Sequence, residues 1–145
     1  MPMLRIEEAG TSRKKSQPTV LIVDDEPAIA TTLSLILQRA GYKTFIARTG
    51  EEAVERARIS VPDVLVCDII LPRTNGVEAA REIRALCPEC QIILITGNPL
   101  NEELNENIRT GGFEVMTKPF HPTTLIEKLR ERMAADTRRE KPAAA

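Results

Sequence analysis

The chain predicts a doubly wound α/β fold: one sheet of five parallel strands, in order 2-1-3-4-5, with helices on both faces. Three observations carry this. Short apolar runs at residues 20–23, 64–67 and 92–95 read as strands covered on both sides. Segments with apolar residues at helical spacing lie between the strand-like runs. The two patterns alternate strictly, so connections long enough to hold a helix join consecutive strands, which makes the strands parallel. At 145 residues the chain can bury a real core as one domain.

The elements follow in order. Residues 1–18 are mostly polar, carry Arg13, Lys14 and Lys15, and read as a flexible arm before a domain at 19–135. The run 20–23 ends in Asp24 and Asp25, and Pro27 suits a first helical turn, where its missing N–H costs nothing. Ile29, Leu33, Ile36, Leu37 and Ala40 recur at helical spacing until Gly41 stops the helix. A short strand spans 43–47. Thr49 and Glu52 form a capping-box pattern that opens a second helix with Val54 and Ala57 inward. The strand 63–67 leads to Asp68 and a loop to Gly76, and a helix over 77–86 ends before Pro88.

Strand 91–95 is apolar after Gln91 and ends at Thr96. The helix over 101–110 has only Leu104 and Ile108 as clear anchors, so little area holds it. Gly111 and Gly112 end it, and a last strand reaches Thr117 and Lys118. Pro122 opens a final helix with Leu125, Ile126, Leu129 and Met133 on one face, and residues 136–145 read as a frayed tail. Of the common doubly wound orders, the shorter, flavodoxin-like 2-1-3-4-5 fits five strands, and its switch point lies between strands one and three.

Composition excludes several function classes. Net charge is −1, so no global basic field draws nucleic acid or acidic lipid, and no apolar stretch is long enough to span a membrane. The first residues lack the apolar core of a secretory signal, and the expected compartment is cytoplasmic. Cys87 and Cys90 have CxxC spacing, but the chain has three cysteines and one histidine, His121. A structural zinc site needs four nitrogen or sulfur ligands. Packed, reduced thiols are therefore expected.

Parallel strands put Asp24, Asp25, Asp68, Thr96 and Lys118 along one carboxyl edge, where open α/β sheets bind ligands. Taken singly, each has a plain structural explanation: helix capping for an aspartate, a local backbone bond for Thr96, a solvated charge for Lys118. Together they are a chemical set. Three carboxylates repel one another unless a cation intervenes, and oxygen ligands suit octahedral Mg²⁺. A carboxylate can attack phosphorus to form an acyl phosphate, helped by a metal and by donors aimed at the phosphoryl oxygens.

Asp24-Asp25, the loop from Asp68 to Gly76, Thr96-Gly97 and Lys118-Pro119-Phe120 resemble, in order and spacing, the receiver domain of two-component response regulators. The resemblance covers residues 18–135. It implies that Asp68 accepts a phosphoryl group from a sensor histidine kinase or histidine phosphotransfer protein. Asp24, Asp25, Asp68 and the Ile70 carbonyl would hold Mg²⁺. Thr96 and Lys118 would contact the phosphoryl group, and the Lys118–Pro119 bond would be cis. It implies a signalling module whose only catalysis is its own phosphorylation and dephosphorylation. Such a module acts on a downstream protein and allows a homodimer that forms on phosphorylation; direct nucleic-acid contact is not expected.

With no effector domain after residue 135, output is expected through surface contact. A receiver-like module regulated without phosphorylation is the alternative, and the intact set argues against it. A nucleotide-dependent enzyme is disfavoured by the lack of GxxxxGK and GxGxxG loops. An aspartyl phosphatase is disfavoured because Ile70 stands where its second acid would be.

One position departs from the pattern. Val115, three residues before Lys118, occupies a place where receivers carry an aromatic residue that reports activation. The expected carrier of the signal is instead the thinly anchored helix over 101–110. Apolar Ile70 cannot orient an attacking water, so a long-lived acyl phosphate is expected, with Asn98 as the nearby polar group.

Overall fold

The computed structural model describes residues 17–97 and 100–144, with side chains through residue 134. Five strands, β1 (Thr19–Val23), β2 (Lys43–Ala47), β3 (Val64–Asp68), β4 (Gln91–Thr96) and β5 (Glu114–Thr117), alternate with five helices. The helices are α1 (Pro27–Arg39), α2 (Gly50–Ile59), α3 (Gly76–Leu86), α4 (Glu102–Gly111) and α5 (Pro122–Ala144). The sheet is parallel throughout and ordered β2-β1-β3-β4-β5, as expected. That order puts β1 and β3 side by side, with Val23 level with Cys67, so Asp24 and Asp68 leave the sheet next to each other.

Side chains alternate across the pleat into two cores. Leu21, Val23, Leu65, Cys67, Ile92 and Leu94 face α2, α3 and α4, where Ala53, Val54, Ala80, Ile83 and Ile108 meet them. Val20, Ile22, Val64, Val66, Ile93 and Ile95 face α1 and α5, where Leu33, Leu37, Leu125 and Leu129 close the layer. Both faces of β1, β3 and β4 are thus covered, which is why these strands lack polar alternation.

Local signals set most helix ends. The Thr49 hydroxyl accepts the Glu52 N–H at 3.0 Å, while the Glu52 carboxylate accepts from Arg48 N–H rather than from the cap residue itself. Asn75 and Asn101 cap α3 and α4 by accepting from Glu78 and Leu104 N–H. Glu26 precedes α1 without a side-chain cap, and Pro27 at the first position needs none. Gly112, at φ 70°, ends α4 in the left-handed region that glycine enters at no steric cost.

At the amino end, the Pro18 carbonyl accepts from Lys43 N–H and so joins the sheet; residues 1–16 lie outside those described. At the carboxyl end, α5 runs through Ala144. Arg138, Arg139, Glu140 and Lys141 are good helix formers, and their backbone preference continues the helix after its apolar stripe stops. Among the described residues no helix is long and apolar enough to cross a membrane.

Candidate functional site

The site is built at the carboxyl ends of β1, β3, β4 and β5. Asp24 is buried, with 3% of its surface exposed, and its Oδ1 accepts the Glu26 N–H at 2.9 Å. Neither aspartate caps α1, so the structural explanation open to Asp24 and Asp25 does not hold here. Asp68 closes β3 with 8% exposure, and its Oδ1 accepts the Ile70 N–H at 3.2 Å. Asp25 is exposed at the mouth. One carboxylate oxygen from each of Asp24, Asp25 and Asp68 lies within 4.8 Å of the others.

Lys118 comes from the end of β5. Its Nζ lies 3.3 Å from Asp68 Oδ2 and 3.9 Å from Asp24 Oδ2. Its backbone N–H donates to the Thr96 carbonyl at 2.7 Å, and the Lys118–Pro119 peptide is cis as expected. Thr96 is buried at the tip of β4, one position beyond Ile95, which pairs with Asp68. The structure therefore brings together Asp24, Asp25, Asp68 and Lys118 and sets Thr96 on the adjoining strand end. Ile70 is just outside β3 with its side chain exposed. Asn98 lies outside the described residues.

The electrostatics of this arrangement call for a cation. Burial pushes the Asp24 carboxyl above its ordinary 3.8; the Glu26 N–H pulls it back, Asp68 raises it, Lys118 lowers it, and Asp25 adds a smaller upward push. Lys118 offsets only one of three carboxylates. An all-oxygen ligand set this close fits a hard divalent ion that keeps part of its water shell. Receiver domains bind Mg²⁺ at such an acidic pocket, and the aspartate cluster of this chain fits the same ion.

Two structural supports were not legible as site residues. Gly76 packs against the backbone at the end of β3: a Cβ there would overlap the Asp68 carbonyl, and its N–H donates to the Ile69 carbonyl at 2.7 Å. Only glycine lets α3 start so close to β3. Arg73, in the same loop, holds a positive φ of 67°. The three cysteines are buried and free, and burial above all pushes the Cys67 and Cys90 thiols up, Cys90 to about 12.

Comparison with known proteins agrees with this geometry. The response regulator receiver domain family matches residues 20–130. The chemotaxis protein CheY of Thermotoga maritima is 35% identical over 111 residues, covering 76% of this chain and 92% of that protein. The alkaline phosphatase synthesis transcriptional regulatory protein PhoP of Bacillus subtilis is 36% identical over 105 residues, 71% of this chain and 43% of the relative. The chain thus spans less than half of that regulator's length. A receiver domain protein (CheY-like) of Methanospirillum hungatei superposes with a TM-score of 0.81 at 29% identity, covering 86% of this chain and 99% of that one. With its sheet order, acidic cluster and lysine already in place, the chain belongs to the response regulator receiver domain family of two-component systems.

Proposed function

We propose that Asp68 is a phosphoacceptor that takes a phosphoryl group from a sensor histidine kinase or a histidine phosphotransfer protein. The observation that carries this is Asp68 itself: a carboxylate at a strand tip, backed by two further aspartates and touched by Lys118. An Asp68 oxygen attacks the phosphorus of a phosphohistidine. The P–N bond breaks, the imidazole leaves with a proton from solvent, and an acyl phosphate remains on Asp68. Asp24, Asp25, Asp68 and the Ile70 carbonyl would hold Mg²⁺, which supplies positive charge against the phosphoryl oxygens. Lys118 would turn from Asp68 to a phosphoryl oxygen, and the Thr96 hydroxyl would donate to another.

An apolar groove of about 430 Å³ opens beside Lys118 between α1 and the loop after β5, lined in part by Ile29, Leu33, Ile36, Pro119 and Phe120. It supports docking of the protein that carries the histidine. Its place beside the acceptor, together with the net charge of −1, favours a cytoplasmic protein partner over nucleic acid. The module catalyses no turnover beyond its own phosphorylation and dephosphorylation, and its phosphorylated surface is what a downstream protein or a second copy would read.

Incubation with Mg²⁺ and acetyl phosphate tests the reading by intact mass. One phosphoryl adduct is expected, absent in Asp68→Asn and absent with EDTA. A wild-type protein that folds and takes no adduct overturns it in favour of a receiver regulated by contact alone.

A further inference from the structure

Helix α4 is held unequally at its two ends. Along its length Ile108 is its buried side chain, and Leu104 is only partly buried. Among the described residues the amino end is tied within its own segment, Asn101 Oδ1 accepting from Leu104 N–H at 2.7 Å and Asn105 Nδ2 donating to the Leu100 carbonyl at 3.4 Å, with Leu100 and Leu104 partly buried on the core. That end follows directly from Thr96 through residues 97–101. The carboxyl end, one helix length away, is fastened to other elements. Arg84 of α3 donates from Nη1 to the Gly111 carbonyl at 3.1 Å, and its guanidinium lies 5.0 Å from the centre of the Phe113 ring. Phe113 N–H donates to the Ile108 carbonyl, and its ring lies so close to Gly111 that a Cβ there would overlap it.

Three forces thus meet at one point. A cation sits at the negative end of a helix, a guanidinium sits over an aromatic face, and a ring packs on bare glycine backbone. Val115 occupies the strand position that pairs with Leu94, and Phe113 lies two residues back, packed on the same core layer.

We propose that α4 is hinged at its carboxyl end by an Arg84–Phe113 clasp, so that its amino end moves while its last turn stays fixed on α3. A change at Thr96 would then reach the surface as a swing of the amino-terminal turns, a step that rests on the phosphoacceptor reading. The clasp itself does not depend on that reading.

Amide hydrogen exchange of the metal-free protein tests the clasp. Asn105, Glu106 and Asn107 N–H should exchange about tenfold faster than Arg109 to Phe113 N–H. In Arg84→Met the second group should speed up about tenfold, with the first group and the Val66 amide in β3 unchanged. Phe113→Leu, which keeps the core filled, should give the same pattern if Arg84→Met fails to fold. Equal rates in both halves of wild-type α4, or no selective change in the variants, overturn the hinge. Adding Mg²⁺ and beryllofluoride, with binding followed by ¹⁹F NMR, tests the swing. Altered exchange confined to residues 97–107 supports it, and altered exchange across Arg109 to Phe113 overturns it. Absence of bound beryllofluoride counts against the phosphoacceptor reading, while the metal-free result still decides the clasp.

Discussion

Asp24 shows how one residue links stability to function. Its carboxyl titrates above 3.8 because it is buried and faces Asp68 and Asp25. The folded protein therefore holds this proton more tightly than the unfolded chain does. In the metal-free protein its contribution to stability is fully present below 3.8 and is lost as pH rises through the higher folded value. Mg²⁺ requires ionised ligands, so the stability it adds grows over the same rise in pH. At about 100 times its Kd the ion should add about 2.7 kcal/mol, which in a chain of this size raises Tm by roughly 5–10 °C. Asp24→Asn should be more stable than wild type near neutral pH without metal, and should lose most of the Mg²⁺-induced rise. Thermal unfolding with Mg²⁺ or EDTA checks both; the same Mg²⁺ shift in the two proteins would remove Asp24 from the metal site. The place of this residue at the carboxyl edge of the sheet was legible in the sequence. Its burial was not, because burial depends on Lys118 and Asp68, brought in from distant strand ends.

At the scale of elements, the two helices on either side of β5 are anchored differently. Helix α5 buries Leu125 and Leu129 completely, and a polar network ties it to the sheet. Arg132 Nε donates to the buried Gln91 Oε1 at 3.0 Å, its Nη1 donates to Glu114 at 3.2 Å, and Lys128 pairs with the other Glu114 oxygen at 2.9 Å. Glu114 keeps Lys128 when Arg132 is removed, so the penalty falls on Gln91. Arg132→Met should cost about 1–3 kcal/mol in urea unfolding, from leaving the Gln91 side chain buried and unpaired. Replacing Gln91 by Met as well should recover part of that loss, since nothing polar is then stranded. A double variant that loses the full sum of the two single losses would disprove the pairing. Among the described residues helix α4 has no such network along its face, and the clasp at its carboxyl end stands in for one. Periodicity identified α4 as weakly anchored from Leu104 and Ile108. Arg84 and Gly111, 27 residues apart, could not be paired from sequence, since no local pattern encodes that contact.

At the scale of the molecule, one of the two core layers buries all three cysteines. Cys67 lies on β3 itself and points into this layer, and Cys87 and Cys90 flank the turn into β4 in the same layer. With the Cys67 and Cys90 thiols shifted up by burial, thiolate is scarce at neutral pH, and access requires opening of the core. A disulfide reagent such as DTNB should leave the native protein almost unlabelled over minutes at pH 7.5 and titrate three thiols in guanidinium. Rapid labelling of the native protein would show that this layer opens far below global unfolding.

The sequence by itself determined the alternation of elements, the parallel sheet and the five side chains at its carboxyl edge. Those follow from local rules: strand runs without polar alternation, helical spacing, caps at Thr49, Asn75 and Asn101, and glycine stops at Gly41 and Gly112. Tertiary structure alone decided the rest. It seated Gly76 against the Asp68 carbonyl, set Lys118 between two aspartates and placed Phe113 under Arg84. It also left α4 fixed at one end. Each of these is a contact between residues far apart in the chain. Side-chain periodicity names the face a residue occupies, and only packing of one element on another sets its distance from a partner.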